Sequence, residues 1–170
     1  MHPVSPTHLR DACLTLMREA YPGGDPNHCW FTWGGPESGV LGTTAELSAE
    51  EASTPIRDGG PTVAAIGGHI RFLLQYGNTM FRGQKPSMNW DDSWPVRGVN
   101  ENQWVQLQKD IENEYATAIQ LIENFEHWDN EMVITGAFGQ IAHVAYHLGA
   151  MRQMMLEILE AEEDVEDDES

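Results

Sequence analysis

Trp104, Leu107, Ile111, Tyr115, Ala118, Ile122 and Phe125 stand 3, 4, 4, 3, 4 and 3 residues apart. Alternating steps of three and four hold side chains on one stripe of an α-helix. The positions between them are mostly charged or amide-bearing, so the helix, from about Glu101 to Phe125, has a single apolar side. A long helix with one apolar stripe is stable only when other elements cover that stripe. The rest of the chain therefore has to supply partners of matching shape.

It supplies three more long helical stretches. Ser5 can cap and Pro6 suits a first helical turn, and Leu9, Cys13, Leu16, Met17 and Ala20 follow at helical spacing until Pro22-Gly23-Gly24 stops the run. Thr62 caps a second stretch that the pattern carries to about Arg82. On its wheel Ile66, Leu73, Tyr76 and Met80 gather around His69, with Arg71, Gln75, Asn78 and Arg82 opposite. The last stretch reads from about Thr135 or Gly136 to Leu159, with Ile141, Ala145, Leu148, Met155 and Leu159 as its stripe. Arg152 falls within that stripe and has to snorkel or find a carboxylate.

The connections are as informative. Gly39 to Leu47 reads as a short helix, and Ser48 with Glu51 forms a capping-box pattern for one more turn. Residues 22–36 are rich in Gly and Pro and carry His28-Cys29-Trp30-Phe31-Thr32-Trp33. The aromatic rings of that loop are expected to pin it to the core. A second loop over Gly83 to Gly98 holds Trp90 and Trp94. There is no strand-like alternation and no internal repeat, so the expected fold is all-α, a four-helix bundle, in a single domain over 1–160.

Charge narrows the function. The chain carries a net charge of −18, with eight acidic residues among the ten from Glu160 to Glu169. Such a block repels itself, and 161–170 is expected to be a disordered acidic tail. Neither nucleic acid nor an anionic membrane suits a surface without clustered Lys and Arg. No apolar run approaches the roughly 18 residues of a membrane span, and no signal peptide is expected. Cys13 and Cys29 are the only cysteines, which points to the cytoplasm.

The residues that carry chemistry are histidines. His143 and His147 are four apart on a helix and so stand one above the other, where a pair of imidazoles can chelate one divalent ion. They share a strip with Gly136, Ala150, Met154 and Ile158. His69 sits at the centre of the buried face of a different helix. Each histidine alone is best read as a hydrogen-bonded core residue. The three placed inward together indicate a metal site of His69, His143 and His147 for zinc, nickel, iron or copper. Three protein ligands leave a position open, the pattern of a catalytic ion that lowers the pKa of a bound water or thiol. Glu46, Glu50 and Glu51, or Asp91 and Asp92, are the carboxylates near enough in sequence to serve as base, and Tyr76 can orient a substrate. Tyr146 falls too far around its helix. The chain has no HExxH, no GxSxG, no phosphate-binding glycine loop and no di-iron Glu-x-x-His repeat.

Three segments together resemble a known family: Leu47-Ser48-Ala49-Glu50-Glu51-Ala52-Ser53, Ile66-Gly67-Gly68-His69-Ile70-Arg71-Phe72-Leu73, and Ile141 through Gln153 with its His143-x-x-x-His147. The chain resembles the DinB/YfiT-like superfamily of small four-helix-bundle metalloenzymes over about residues 36–159. The resemblance implies an up-down-down-up bundle, often dimeric, with His69, His143 and His147 as ligands of one divalent ion, commonly nickel or zinc. It also implies a small-molecule substrate and, in some relatives, a low-molecular-weight thiol used in S-transfer or isomerisation. The loop at 22–36 interrupts the first helix and departs from the family pattern. Two readings follow: a metal-dependent transferase or hydrolase, or a non-catalytic metal-binding or stress-associated bundle.

Overall fold

The computed structural model describes residues 5–87 and 89–168, with side chains through Ala161. It is all-helical: α1 (Pro6–Ala20), α2 (Val40–Ala45), α3 (Ala49–Ser53), α4 (Val63–Phe81), α5 (Glu101–Asn124) and α6 (Glu131–Asp168). Short 3-10 turns occupy Pro36–Ser38 and Trp90–Asp92. Among the described residues there is no strand, only one isolated bridge between Asp25 and His28. No described helix is long and apolar enough to cross a membrane.

Among the long helices, α1 lies on α5 and α6, and α4 lies on the same two. The stripe of α5 fills the centre, with Trp104, Leu107, Ile111, Ala118 and Ile122 buried. The Trp104 indole also donates to the Leu47 carbonyl at 2.8 Å, which satisfies its one polar atom and ties α5 to the α2–α3 link. Burying each such side chain is worth roughly 1.5–3 kcal/mol. Truncating Ile111, which is fully enclosed, to Ala would cost about 2–5 kcal/mol through the cavity left behind.

The expected caps form. Ser5 accepts from the Thr7 amide, Thr62 from Ala65, and Ser48 and Glu51 complete a capping box. The start of α6 differs from the sequence reading. It begins at Glu131, ahead of Thr135, because the Asn130 side chain accepts from the Met132 and Val133 amides and caps a turn that the later glycines obscure. Its end differs as well. Helical backbone continues past Leu159 to Asp168, through part of the stretch expected as a disordered tail. Ala161, Glu162 and Glu163 are good helix formers by propensity. Residues 169–170 lie outside the described residues.

The loop between α1 and α2 is anchored differently from expectation. Trp30 and Trp33 are 67% and 52% exposed, so burial of aromatic rings does not hold it. Its anchor is Glu19, only 3% exposed, whose carboxylate accepts from the Trp30, Phe31 and Thr32 amides at 2.7–2.8 Å and from the Thr32 hydroxyl. Burial pushes the Glu19 pKa up, but these hydrogen bonds together outweigh it and hold the carboxyl below its ordinary value. Gly23 turns the chain at φ 98°, against the Gly35 carbonyl where a Cβ has no room. Arg152 resolves its place on α6 here. Its guanidinium donates to the Glu37 carbonyl at 2.6 Å and to the Thr43 hydroxyl, and lies 3.5 Å over the Trp33 ring. A carbonyl and an aromatic face, rather than a carboxylate in direct contact, satisfy it.

Candidate metal centre

The centre is built where α4, α6 and the loop over residues 82–100 meet. At Gly68 an added Cβ would come within 2.8 Å of a Val96 methyl, so the loop runs directly over α4 at the residue before His69. Its exit is fixed by Thr62 donating to the Arg97 carbonyl at 2.9 Å and by the Val99 amide donating to Ser53. Across the other interface, Gln140 of α6 donates to the Leu73 carbonyl of α4 at 3.0 Å. Gln140 reaches over Gly77, where a Cβ would overlap its amide oxygen. On the far side, α4 is bound to α5 through Asn78, buried and donating to the Glu114 carboxylate at 2.8 Å and to the Glu114 carbonyl. The wheel had placed Asn78 on an outer face. Helix α4 is buried nearly all round, so one dividing line does not describe it.

His69, His143 and His147 come together. Their ligand nitrogens all lie within 4.8 Å of one another. The Nε2 atoms of His69 and His143 are 3.3 Å apart, and those of His143 and His147 are 2.9 Å apart. The His69 Nδ1 lies 2.8 Å from the Ser93 carbonyl oxygen. A carbonyl only accepts, so Nδ1 carries the proton and Nε2 presents its lone pair to the other two rings. The Trp94 indole stacks on a face of the same imidazole.

Electrostatics favour the neutral form of His69 and His147. Burial pushes the His69 pKa down, and the nearby His143 adds to this against the opposing Ser93 hydrogen bond. Burial first, then His69 and His143, bring His147 down to about 4. Neutral imidazoles are the form that binds metals. The donor set fits a divalent transition ion. Bonds of about 2.0–2.1 Å in a tetrahedron separate two nitrogens by roughly 3.3–3.4 Å, which the His69–His143 distance matches. The His143–His147 pair needs to open by a few tenths of an ångström.

An open cavity of about 550 Å³ covers the three rings and is bordered by Ser93, Trp94, Tyr146 and Ala150. No carboxylate and no cysteine lines it among the described residues. Glu51 is spent in the α3 capping box, Glu50 is exposed, and Asp91 and Asp92 sit exposed in the turn beside Trp90. Glu46 is exposed as well, and none of these acidic candidates lines the cavity. Tyr76 does not line this cavity and packs against Trp90 with the rings tilted at 42° and centroids 5.2 Å apart. Tyr146, set aside on the wheel, does border the cavity, 74% exposed and edge-on to His147. The cavity is wide enough to take in a residue one step from the metal-facing strip. Ser93 and Trp94 were not singled out by sequence. Their one signal is a tryptophan pair in a Gly/Pro loop directly after the His69 helix.

Cys13 and Cys29 are both free, and burial pushes the Cys13 thiol up to about 12, which leaves it inert. Neither joins the centre. No family model, curated protein or solved structure gives a significant match to this chain.

Proposed function

We propose that this chain is a metal-dependent enzyme of the DinB/YfiT-like type, built as a four-helix bundle, in which His69, His143 and His147 hold one divalent transition ion. The observation that carries the reading is the convergence of three Nε2 atoms, from two helices, on an open cavity that no fourth metal-binding side chain among the described residues closes. A structural site is normally closed by four protein ligands, whereas a catalytic one keeps a position free.

Bound there, the ion supplies Lewis acidity, which makes a water or a thiol in the free position nucleophilic near neutral pH. The protein's own residues set up that chemistry. The Ser93 carbonyl fixes the His69 tautomer, and Trp94 holds the ring plane. Tyr146 stands at the cavity border, where its hydroxyl can donate to a substrate oxygen. The reaction classes supported are S-transfer from a low-molecular-weight thiol and hydrolysis of a small electrophilic substrate.

A second reading draws on the short His143–His147 contact: two core imidazoles sharing a proton, in a non-catalytic bundle. Metal analysis of protein purified without chelators separates the two. About one ion per chain, lost in His143→Ala, supports the metal centre. No ion, and no uptake of added zinc or nickel, overturns it.

A further inference from the structure

Next to the histidine cavity lies a groove of about 410 Å³ between the second half of α4 and the first turns of α6. It shares Trp90 and His143 with the cavity, so the two spaces meet at a metal-facing ring. Tyr76, Met80 and Phe81 form one wall, and Met132 and Val133 face them from α6. We propose that this groove seats the body of the substrate, and that the substrate is an uncharged, elongated apolar small molecule whose single polar head reaches the ion beside His143. The inference rests on the metal-centre reading above and adds the class of molecule it serves.

Three observations carry it. The groove has no Asp, Glu, Lys or Arg among its described lining residues, in a chain of net charge −18. An anionic body would find no cation there and would enter against the field of the whole protein. Each of its two amides is engaged at one atom: the Asn130 oxygen caps α6 and the Gln140 nitrogen bonds the Leu73 carbonyl. The rest of the lining is mainly apolar and aromatic surface, in a volume typical of small-molecule sites, roughly 300–1,000 Å³.

The third observation is a gap in side chains along α6. Gly136 and Gly139 border the groove, and a Cβ at either would meet nothing within 4 Å. Gly139 is one turn before His143 on the same helical row. Each glycine weakens the helix relative to Ala, and packing against a neighbour does not require either. Their effect is to leave the space beside His143 free of side chains. Continuity with the ion's position distinguishes this groove from a face awaiting a second protein.

The test is a chain-length series of straight-chain hydroxamates, from acetohydroxamate to octanohydroxamate, titrated into zinc-loaded full-length protein. The hydroxamate head binds zinc, and the tail reports on the groove. The expected result is about three- to fourfold tighter binding per added methylene until the groove is filled. Gly139→Leu, and Gly136→Leu as a second variant, put a side chain into open space with no loss of helix propensity. They are expected to keep zinc and helical content, and to weaken octanohydroxamate about tenfold while leaving acetohydroxamate nearly unchanged. A flat series with zinc bound, as a second copy of the chain covering the groove would give, overturns this inference alone. So does octanohydroxamate affinity that survives both variants. Failure to take up zinc overturns the metal centre, and this inference with it.

Discussion

The imidazole of His69 and the indole of Trp94 stack face to face, with centroids 4.2 Å apart and planes 2° from parallel. With the adjacent Ser93 carbonyl on Nδ1, this gives one histidine two restraints from consecutive loop residues: one fixes the proton, the other the plane. Trp94 is 46% exposed, so its burial contributes modestly to the core. Trp94→Leu should therefore weaken zinc binding by about ten- to a hundredfold, the range for partners that orient metal-binding histidines, with little change in unfolding midpoint. Competition against a chromogenic chelator measures it. An unchanged affinity would mean that the stack does not orient the ring.

His147→Ala should abolish metal binding yet leave a folded protein. The core rests on the α5 stripe and on Ile141, Val144 and Met151 of α6, which are buried independently of the ion. A stability change within about 1–2 kcal/mol is expected, as for a typical single substitution. Circular dichroism and metal content on the same sample check both halves. A chain that unfolds would place the ion in a structural role.

Glu19→Gln should cost roughly 1–3 kcal/mol at pH 7, because three amides lose a charged acceptor for a neutral one. The native carboxyl is held below its ordinary value, so its contribution is present above the unfolded pKa of about 4.3. It is lost as pH falls through the lower folded value. The gap between wild type and variant in urea unfolding should accordingly shrink as pH drops below about 4. A gap that stays constant down to pH 3 would show that the charge is not what holds the loop.

Arg152→Lys should cost about 1 kcal/mol. Lysine keeps the charge but loses the planar contact over Trp33 that the guanidinium makes while one of its nitrogens donates to Glu37 and Thr43. Acrylamide quenching of tryptophan fluorescence and amide exchange across residues 30–38 should both rise. Equal exchange in the two proteins would mean that Glu19 alone fixes the loop.

What the sequence made legible follows from where the information is local. The α5 stripe, the caps at Ser5, Ser48 and Thr62, and the His143–His147 row are all set by spacings within one helix. His69 could be placed inward because its own helix buries it. The contacts that finish the centre join segments that no periodicity links. Ser93 meets His69 from 24 residues away, through a loop without a repeating pattern. Glu19 looks like any solvated helix glutamate until the loop folds back over it. The wheel puts Asn78 outward because a single dividing line cannot describe a helix enclosed on several sides, and its partner Glu114 lies 36 residues on. Tyr146 was discounted by an angle on a wheel, while the cavity it borders is a property of three elements together.

The grip of Glu19 falls on main-chain amides, and this separates two things that a loop usually has to reconcile. Every residue except proline brings the same N–H, so positions 30 and 31 can change identity without disturbing how the loop is held. Trp30 and Phe31 are thereby released from structural duty, and this stretch of surface is free to diversify while the scaffold beneath it stays fixed.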